Sequence, residues 1–477
     1  MQRQGIGAQR VDSIAPVERS ASCPLSFAQQ RLWFMHLLEP ASPAYNLPSA
    51  IRLEGPLDLA ALRQTLDEVI SRHEVLRTSF ALVEGQPAQV ISPALTLNLP
   101  SVDLRDLRET ERETEVRRLI SQEAQRPFDL SSAPLLRTTL LRLQEAEYVL
   151  LLTMHHIASD GWSMGVLVRE VAALYEAFTQ SRPSPLAELP IQYADYAIWQ
   201  RKRLQGQMLE QQLNYWKQQL SGDLPVLELP VDRRRPQRQS FRGAQQWLKL
   251  PVQLQATLKE LSRREGVTLF MTLLAAFQTL LARYTGAAHI TVGSPIANRT
   301  RPELEGLIGF FVNTLVLRTD VSGNPRFTEL LQRVREVCLG AYAHQDVPFE
   351  KLVEELQPER SLSHQPLFQV VFALQNTPMS NLQVKGLQLT QMEADSNTAK
   401  FDLVLNMLDT DEGLVGSLKY STDLFDGSTI ERMLGHFHTL LTAIVSDPSQ
   451  RLNQLPLLPE PERQQLLSDW NRTHTEY

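Results

Sequence analysis

The sequence predicts an α/β (α+β) fold in two lobes, and three observations carry that expectation. First, short apolar runs of strand length alternate along the chain with stretches whose apolar residues step at threes and fours. Second, a Pro- and Arg-rich stretch, Leu220–Gln239, interrupts the alternation, which then restarts. Third, 477 residues with 43% hydrophobic and 21% charged are enough to build two or more cores.

Met1–Ser22 is polar and aperiodic and reads as an irregular leader. Ser26 is placed to cap a short helix carrying Phe27, Leu32 and Trp33. Ala50–Glu54 alternates like a strand, and Leu57–Arg72 turns Leu59, Leu62, Leu66, Val69 and Ile70 to one helical face. Ala81–Pro93 reads as a hairpin around Glu84-Gly85, and Asp106–Gln125 as an exposed, charged helix. Phe128–Arg142 passes through a loop into a strand. Tyr148–Met154 is an apolar run too short for most helices and suits a strand buried on both faces. Ser163 is expected to cap the next helix, whose inward residues are Met164, Leu167, Val168, Val171, Leu174, Tyr175 and Phe178. The aromatics of Tyr193–Arg201 sit at packing spacing. Beyond the break, Trp247–Leu250 reads as strand, Pro251–Glu265 and Val267–Tyr284 as helices, and His289–Pro295 as strand. A further strand ends at Arg318.

The polar cluster between Tyr148–Met154 and its following helix contains the chemistry. Adjacent side chains on extended backbone point to opposite faces, so His155 and His156 cannot share one pocket. One is expected to pack against structure while the other enters a cavity. A neutral imidazole there can accept a proton from an amine or hold it by a hydrogen bond. Asp160 can set the local turn, and Gly161 leaves the backbone uncluttered where a substrate passes. The plain alternative is a satisfied core histidine. No HExxH occurs and neighbouring strand histidines diverge, so no metal site is expected.

A net charge of −7 argues against a general nucleic-acid binder. Cys23 and Cys338 provide no disulfide framework, so a cytoplasmic setting is expected. Val267–Tyr284 is interrupted by Thr272, Gln278 and Thr279, and reads as a core helix instead of a membrane span.

His155-His156-Ile157-Ala158-Ser159-Asp160-Gly161, followed by Trp162-Ser163, resembles the HHxxxDG signature of condensation domains of non-ribosomal peptide synthetases, in the chloramphenicol-acetyltransferase-like superfamily. Six further stretches resemble that family's motifs in the family's order. They are Pro24–Phe34, Arg72–Phe80, Tyr193–Arg201, Ile308–Thr314, Ala343–Val353 and, imperfectly at Leu362, His364 and Gln365, Arg360–Phe368. Asp469–Tyr477 looks like the start of an adenylation domain, which implies a piece of a longer synthetase.

The resemblance implies two acyltransferase-like lobes in a V-shaped pseudo-dimer with an active-site tunnel between them. The expected organisation is a leader to residue 22, one lobe over 23–219, a linker over 220–239, the second lobe over 240–458, and a linker with a truncated adenylation start over 459–477. The implied reaction joins a donor acyl thioester to the amine of an aminoacyl thioester on a carrier. Within the resemblance His156 is the pocket residue beside His155, and Asp160 is structural, paired with Arg299. Gly161, Trp162, Ser163, Arg77 and Asn313 are the candidate substrate-binding residues. No cofactor is expected within the domain itself; the phosphopantetheine arms belong to partner carriers, and an acyl-CoA is the alternative donor. The implied partners are an acceptor carrier, an adjacent adenylation domain and a donor carrier, with neither nucleic acid nor membrane. The compact histidine segment and Phe311-Val312-Asn313-Thr314 point to the subtype joining an L-donor to an L-acceptor, or to the starter subtype that takes a fatty acyl group. Met1 and the short leader lean toward the starter. The rival readings are a non-catalytic recruitment domain, whose motifs would be degenerate, and a stand-alone CoA-dependent acyltransferase.

Overall fold

The computed structural model describes residues 13–469 except 223, 360, 376–385, 393 and 395–396. Arg360, the first twelve leader residues and the adenylation-like residues 470–477 therefore lie outside the described residues. The chain divides into two units. The first comprises Met1–Gln205, Arg299–Phe311 and Asn381–Ala394; the second comprises Gly206–Asn298, Val312–Ser380 and Asp395–Tyr477.

The first unit is built on a five-stranded sheet in the order Gln388–Met392, Asn46–Glu54, Glu147–His155, Leu136–Gln144, Ser101–Asp103. Its centre is the hairpin Leu136–Gln144 with Glu147–His155, paired from Leu136 opposite Met154 to Gln144 opposite Glu147. From Tyr148 to His155 every residue is buried, which accounts for the nearly unbroken apolar run. A small sheet joins Cys23–Pro24, Gln86–Ile91 and Thr78–Val83. Its hairpin turns at Glu84 and Gly85, both at positive φ, as the Glu-Gly signal anticipates.

The second unit carries a six-stranded sheet in the order Asn313–Asp320, His289–Ile296, Val370–Gln375, Leu403–Thr410, Gly413–Ser421, Gly243–Leu250. The helix Leu269–Thr285 begins on Thr268, whose side chain accepts the Met271 N–H, and ends at Gly286 in the left-handed region. Residues Met271–Leu281 of that helix are all buried, so its apolar character is that of a core element. Among the described residues no single helix is long and apolar enough to cross a membrane.

Two features depart from the sequence-based division. The helix Gly206–Gln219 belongs to the second unit because Leu213 and Trp216 bury in its core and the Trp216 indole donates to the His344 carbonyl at 2.9 Å. The Pro/Arg stretch beyond it is pinned too, with Leu227 and Leu229 buried and Arg235 bonded through both terminal nitrogens to Asp402. Second, two late segments return to the first unit. Arg299–Phe311 does so by burying Leu304, Leu307, Ile308 and Phe311 among its side chains, and Gln388–Met392 pairs antiparallel with Ala50–Glu54. The described part of the leader is irregular but anchored: Arg19 binds Asp195 through two nitrogens and Glu74 through Nε.

Candidate active site

The strand Glu147–His155 runs directly into a short 3-10 turn, His156–Ala158, and then the helix Gly161–Thr179. The change of backbone direction sends the two histidines different ways. His155 is 4% exposed, its Nδ1 accepts the Ile157 N–H at 3.1 Å, and its ring packs near Tyr45 and Phe128. It is the packing partner. His156 is half-buried, and its backbone N–H donates to the Tyr45 carbonyl at 2.8 Å. Its Nδ1 lies 3.0 Å from the Ser159 carbonyl oxygen. A carbonyl can only accept, so Nδ1 carries the hydrogen, and in the neutral ring the lone pair falls on Nε2. Gln29 supports the same turn by donating to the Ile157 carbonyl at 3.3 Å.

The helix begins on Asp160; Ser163 sits three residues in and is no cap. Asp160 Oδ1 accepts the Ser163 N–H at 2.8 Å, and a carboxylate at a helix start also meets the positive end of the helix dipole. The same oxygen accepts from the Ser163 hydroxyl at 2.7 Å and from Arg299 Nη2 at 3.2 Å. Oδ2 accepts the Phe311 N–H at 3.0 Å. Asp160 and Arg299 expose 0% and 1% of their side chains. Arg299 also donates to the carbonyls of Leu304 and Leu307, to the Ser163 hydroxyl, and lies 4.1 Å over the Phe311 ring. Burial pushes the guanidinium down from its ordinary value, and Asp160 opposes that shift. The pair thus ties residues 299–311 to the start of the histidine-bearing turn's helix. Gly161 follows on open ground: a Cβ built there meets nothing within 4 Å.

A second buried ionic group holds the same segment. His73 is 1% exposed, its Nε2 lies 2.7 Å from Glu170 Oε2, and its Nδ1 accepts the Ile308 N–H at 3.4 Å. Glu170 also accepts from Arg72 Nε at 2.9 Å. Burial pushes the Glu170 carboxyl up, and its bonds to His73 and Arg72 outweigh that, holding it below the ordinary carboxylate range. Tyr193 completes the support: its hydroxyl donates to the Phe310 carbonyl at 2.6 Å and pairs with Ser26 at 2.8 Å. A Cβ at Gly309 would sit 2.0 Å from Tyr193 Cδ2. Gly309→Ala is therefore expected to cost about 1–3 kcal/mol of stability. An unchanged urea midpoint would show that Tyr193 can move aside.

This assembly, a strand end presenting one histidine inward and one half-exposed above a buried Asp–Arg pair, coincides with a family match. A family model described as "Condensation domain" covers residues 20–467. The chain belongs to the condensation-domain family of non-ribosomal peptide synthetases. The domain is 54% identical over 97% of its length to one of the linear gramicidin synthase proteins of Brevibacillus parabrevis, covering 9% of that protein. It is 48% identical over 99% of its length to chondramide synthase cmdD of Chondromyces crocatus, covering 12% of it. The chain thus spans about a tenth of the length of these curated relatives. Among solved structures, the X-domain from teicoplanin biosynthesis matches with a TM-score of 0.86 at 31% identity, over 94% of this chain and 100% of that one. The first condensation domain of the CDA synthetase matches with a TM-score of 0.75 at 21% identity, over 93% and 100%, and shares the two-lobed chloramphenicol-acetyltransferase-like fold.

The structure brings His156, Asp160, Gly161 and Arg299 of the condensation domain together and assigns the remaining candidates other surroundings. Ser163 is fully buried inside the Asp160–Arg299 knot, where it bonds and does not face outward. The Trp162 indole donates to the Glu305 carbonyl at 2.9 Å, fastening the returning segment. Arg77 is bonded to the Ser92 carbonyl and lies 3.9 Å from Glu74. Asn313 belongs to the second unit, and its amide is occupied at both ends. It donates to the carbonyls of Gln345 and Val347 and accepts the N–H of Phe349 and Thr314, each within 2.9 Å. Asn313 is a clamp on the loop before Phe349. The sequence reading missed His73, Glu170 and Gly309. His73 stood in view within Arg72–Phe80, but its partners are 97 and 235 positions away.

Proposed function

We propose that this domain forms an amide bond between a donor acyl thioester and the amine of an aminoacyl thioester on an acceptor carrier. The amine nitrogen attacks the thioester carbonyl, the C–N bond forms, the C–S bond breaks, and the sulfur leaves with a proton as a thiol. The observation that carries the reading is the state of His156. Its Nδ1–H is committed to the Ser159 carbonyl, so Nε2 is the nitrogen with a lone pair, able to orient the amine and take its proton. A thioester is already activated, so holding the two arms in place supplies much of the remaining rate.

The donor we favour is an aminoacyl or peptidyl group on an upstream carrier. Three relatives at 51–54% identity are different proteins of one linear gramicidin synthase, which supports a place inside a peptide-building series over a fatty acyl-CoA starter. An adenylation domain and carriers as partners fit the likeness to a four-domain synthetase structure. Two free, buried thiols, Cys23 and Cys338, suit a reducing cytoplasm.

The test supplies an aminoacyl-loaded acceptor carrier with either a loaded donor carrier or a fatty acyl-CoA, and follows the acceptor by intact-protein mass spectrometry. Amide from the carrier donor supports the proposal. Amide only from acyl-CoA would make this a starter domain. No product from either donor would favour recruitment, the reading suggested by likeness to an X-domain solved in complex with OxyB.

Gly161 provides a separate check. Its side-chain direction is open and its φ is ordinary, so Gly161→Ala is expected to raise stability by about 0.4–1 kcal/mol through the unfolded chain. Gly161→Leu, filling the open space with a larger group, should fold as well but lose amide formation. Full activity in Gly161→Leu would show that no substrate passes there.

A further inference from the structure

Residues 308–311 are fastened one backbone group after another by four side chains from three parts of the chain. The Ile308 N–H goes to His73, the Gly309 N–H to Ser163 Oγ at 3.1 Å, the Phe310 carbonyl to the Tyr193 hydroxyl, and the Phe311 N–H to Asp160. The two phenylalanines so held do different things. Phe311 is 1% exposed and fills the core, its ring 4.9 Å from Tyr193 and 4.7 Å from Tyr196. Phe310 is half-buried, and its ring lies 4.9 Å from the imidazole of His156 at 64°, an edge contact. Buried backbone groups need partners in any core, so what distinguishes Phe310 is the contact of its ring with the imidazole of His156.

We propose that Phe310 is a positioning residue for His156, the buried His73–Glu170 and Asp160–Arg299 groups serving to keep its ring in place. The hydrogen bond from Nδ1 to the Ser159 carbonyl anchors one edge of the imidazole, and an anchor along one edge permits the ring to swing about it. An aromatic edge contact opposes the swing, so that Nε2 keeps one orientation. This rests on the reading that His156 acts on the amine.

The experiment compares the full chain with Phe310→Ala, Phe310→Leu and Phe310→Tyr. Phe310→Leu keeps most of the volume and removes the ring; Phe310→Tyr keeps the ring. The first readout is kcat and KM for amide formation. Phe310→Ala and Phe310→Leu should lower kcat about three- to tenfold at unchanged KM, the loss of one aromatic pair, and Phe310→Tyr should restore it. The second readout needs no turnover: carbethoxylation of His156 by diethyl pyrocarbonate, located by peptide mass mapping, should be faster once the ring is gone. Wild-type kcat together with wild-type carbethoxylation in Phe310→Leu would overturn the proposal. A change confined to KM would overturn it too, since Phe310 would then be touching substrate. If His156→Ala itself retained amide formation, the catalytic reading would fall, and the carbethoxylation rates would still decide whether Phe310 restrains the ring.

Discussion

His156→Ala should lower amide formation about 10²- to 10⁴-fold, the range over which a positioned general base contributes. The side chain is half-buried and its backbone N–H keeps the bond to the Tyr45 carbonyl, so the fold should survive the change. The substitution also strips the Ser159 carbonyl of its donor, at a cost of about 1–3 kcal/mol if nothing replaces it. His156→Asn separates the two effects. Its amide nitrogen can occupy the place of Nδ1 and donate to the same carbonyl, while nothing occupies the place of Nε2. Both variants should be equally inactive, and only His156→Ala should melt lower. Initial rates with saturating carriers, set beside thermal melts, check this. Near-normal turnover in His156→Asn would remove Nε2 from the mechanism and leave positioning of the two arms as the source of the rate.

The second large effect is on stability. Asp160→Ala should cost about 3–5 kcal/mol, because it leaves the Arg299 charge without its partner in a site from which water is excluded. The same change removes the acceptor of the Phe311 N–H and the cap of the helix Gly161–Thr179, the latter alone worth about 1 kcal/mol. Arg299→Ala should be comparably destabilised, since the charge of Asp160 is then unpaired. The double variant should lose much less than the sum of the two, because no buried charge remains. Urea titration measures all three, read as midpoints at a common slope. Losses under about 1 kcal/mol, or strict additivity, would show that the pair is not coupled as its geometry indicates. Low activity in Asp160 variants would then need a chemical cause instead of a structural one.

How much of this could be read beforehand depends on the distance over which each feature is set. The strand Glu147–His155 and its buried faces follow from period-two geometry over a few residues and were legible. So were the Glu84-Gly85 turn and the apolar helix Leu269–Thr285. The divergence of His155 from His156 was expected from the same period-two geometry, but the turn into His156–Ala158 is what produces it. The Asp160–Arg299 pair was reached through resemblance, because nothing local in either segment announces a partner 139 positions away. Local pattern misled where two elements compete for one role. Ser163 looked like a cap, but Asp160 takes that place and Ser163 is consumed inside the knot. Asn313, a candidate substrate contact through the resemblance, has its amide bonded to four neighbouring backbone groups. The structure groups the helix Gly206–Gln219 with the second unit, and an amphipathic helix shows that it has a buried face but not which core receives it.

What the sequence by itself determined, then, is which segments are strands and helices, where the titratable cluster sits, and which family the chain resembles, since these depend on periodicity and on residues near one another. Only the tertiary structure decided that residues 299–311 and 388–392 return to the first unit, that His73 and Tyr193 hold residues 308–311, and that Phe310 meets the ring of His156. Those contacts depend on where the chain comes back after more than a hundred residues, and burying Leu304, Ile308 and Phe311 in one core, a global result of packing, is what brings them there.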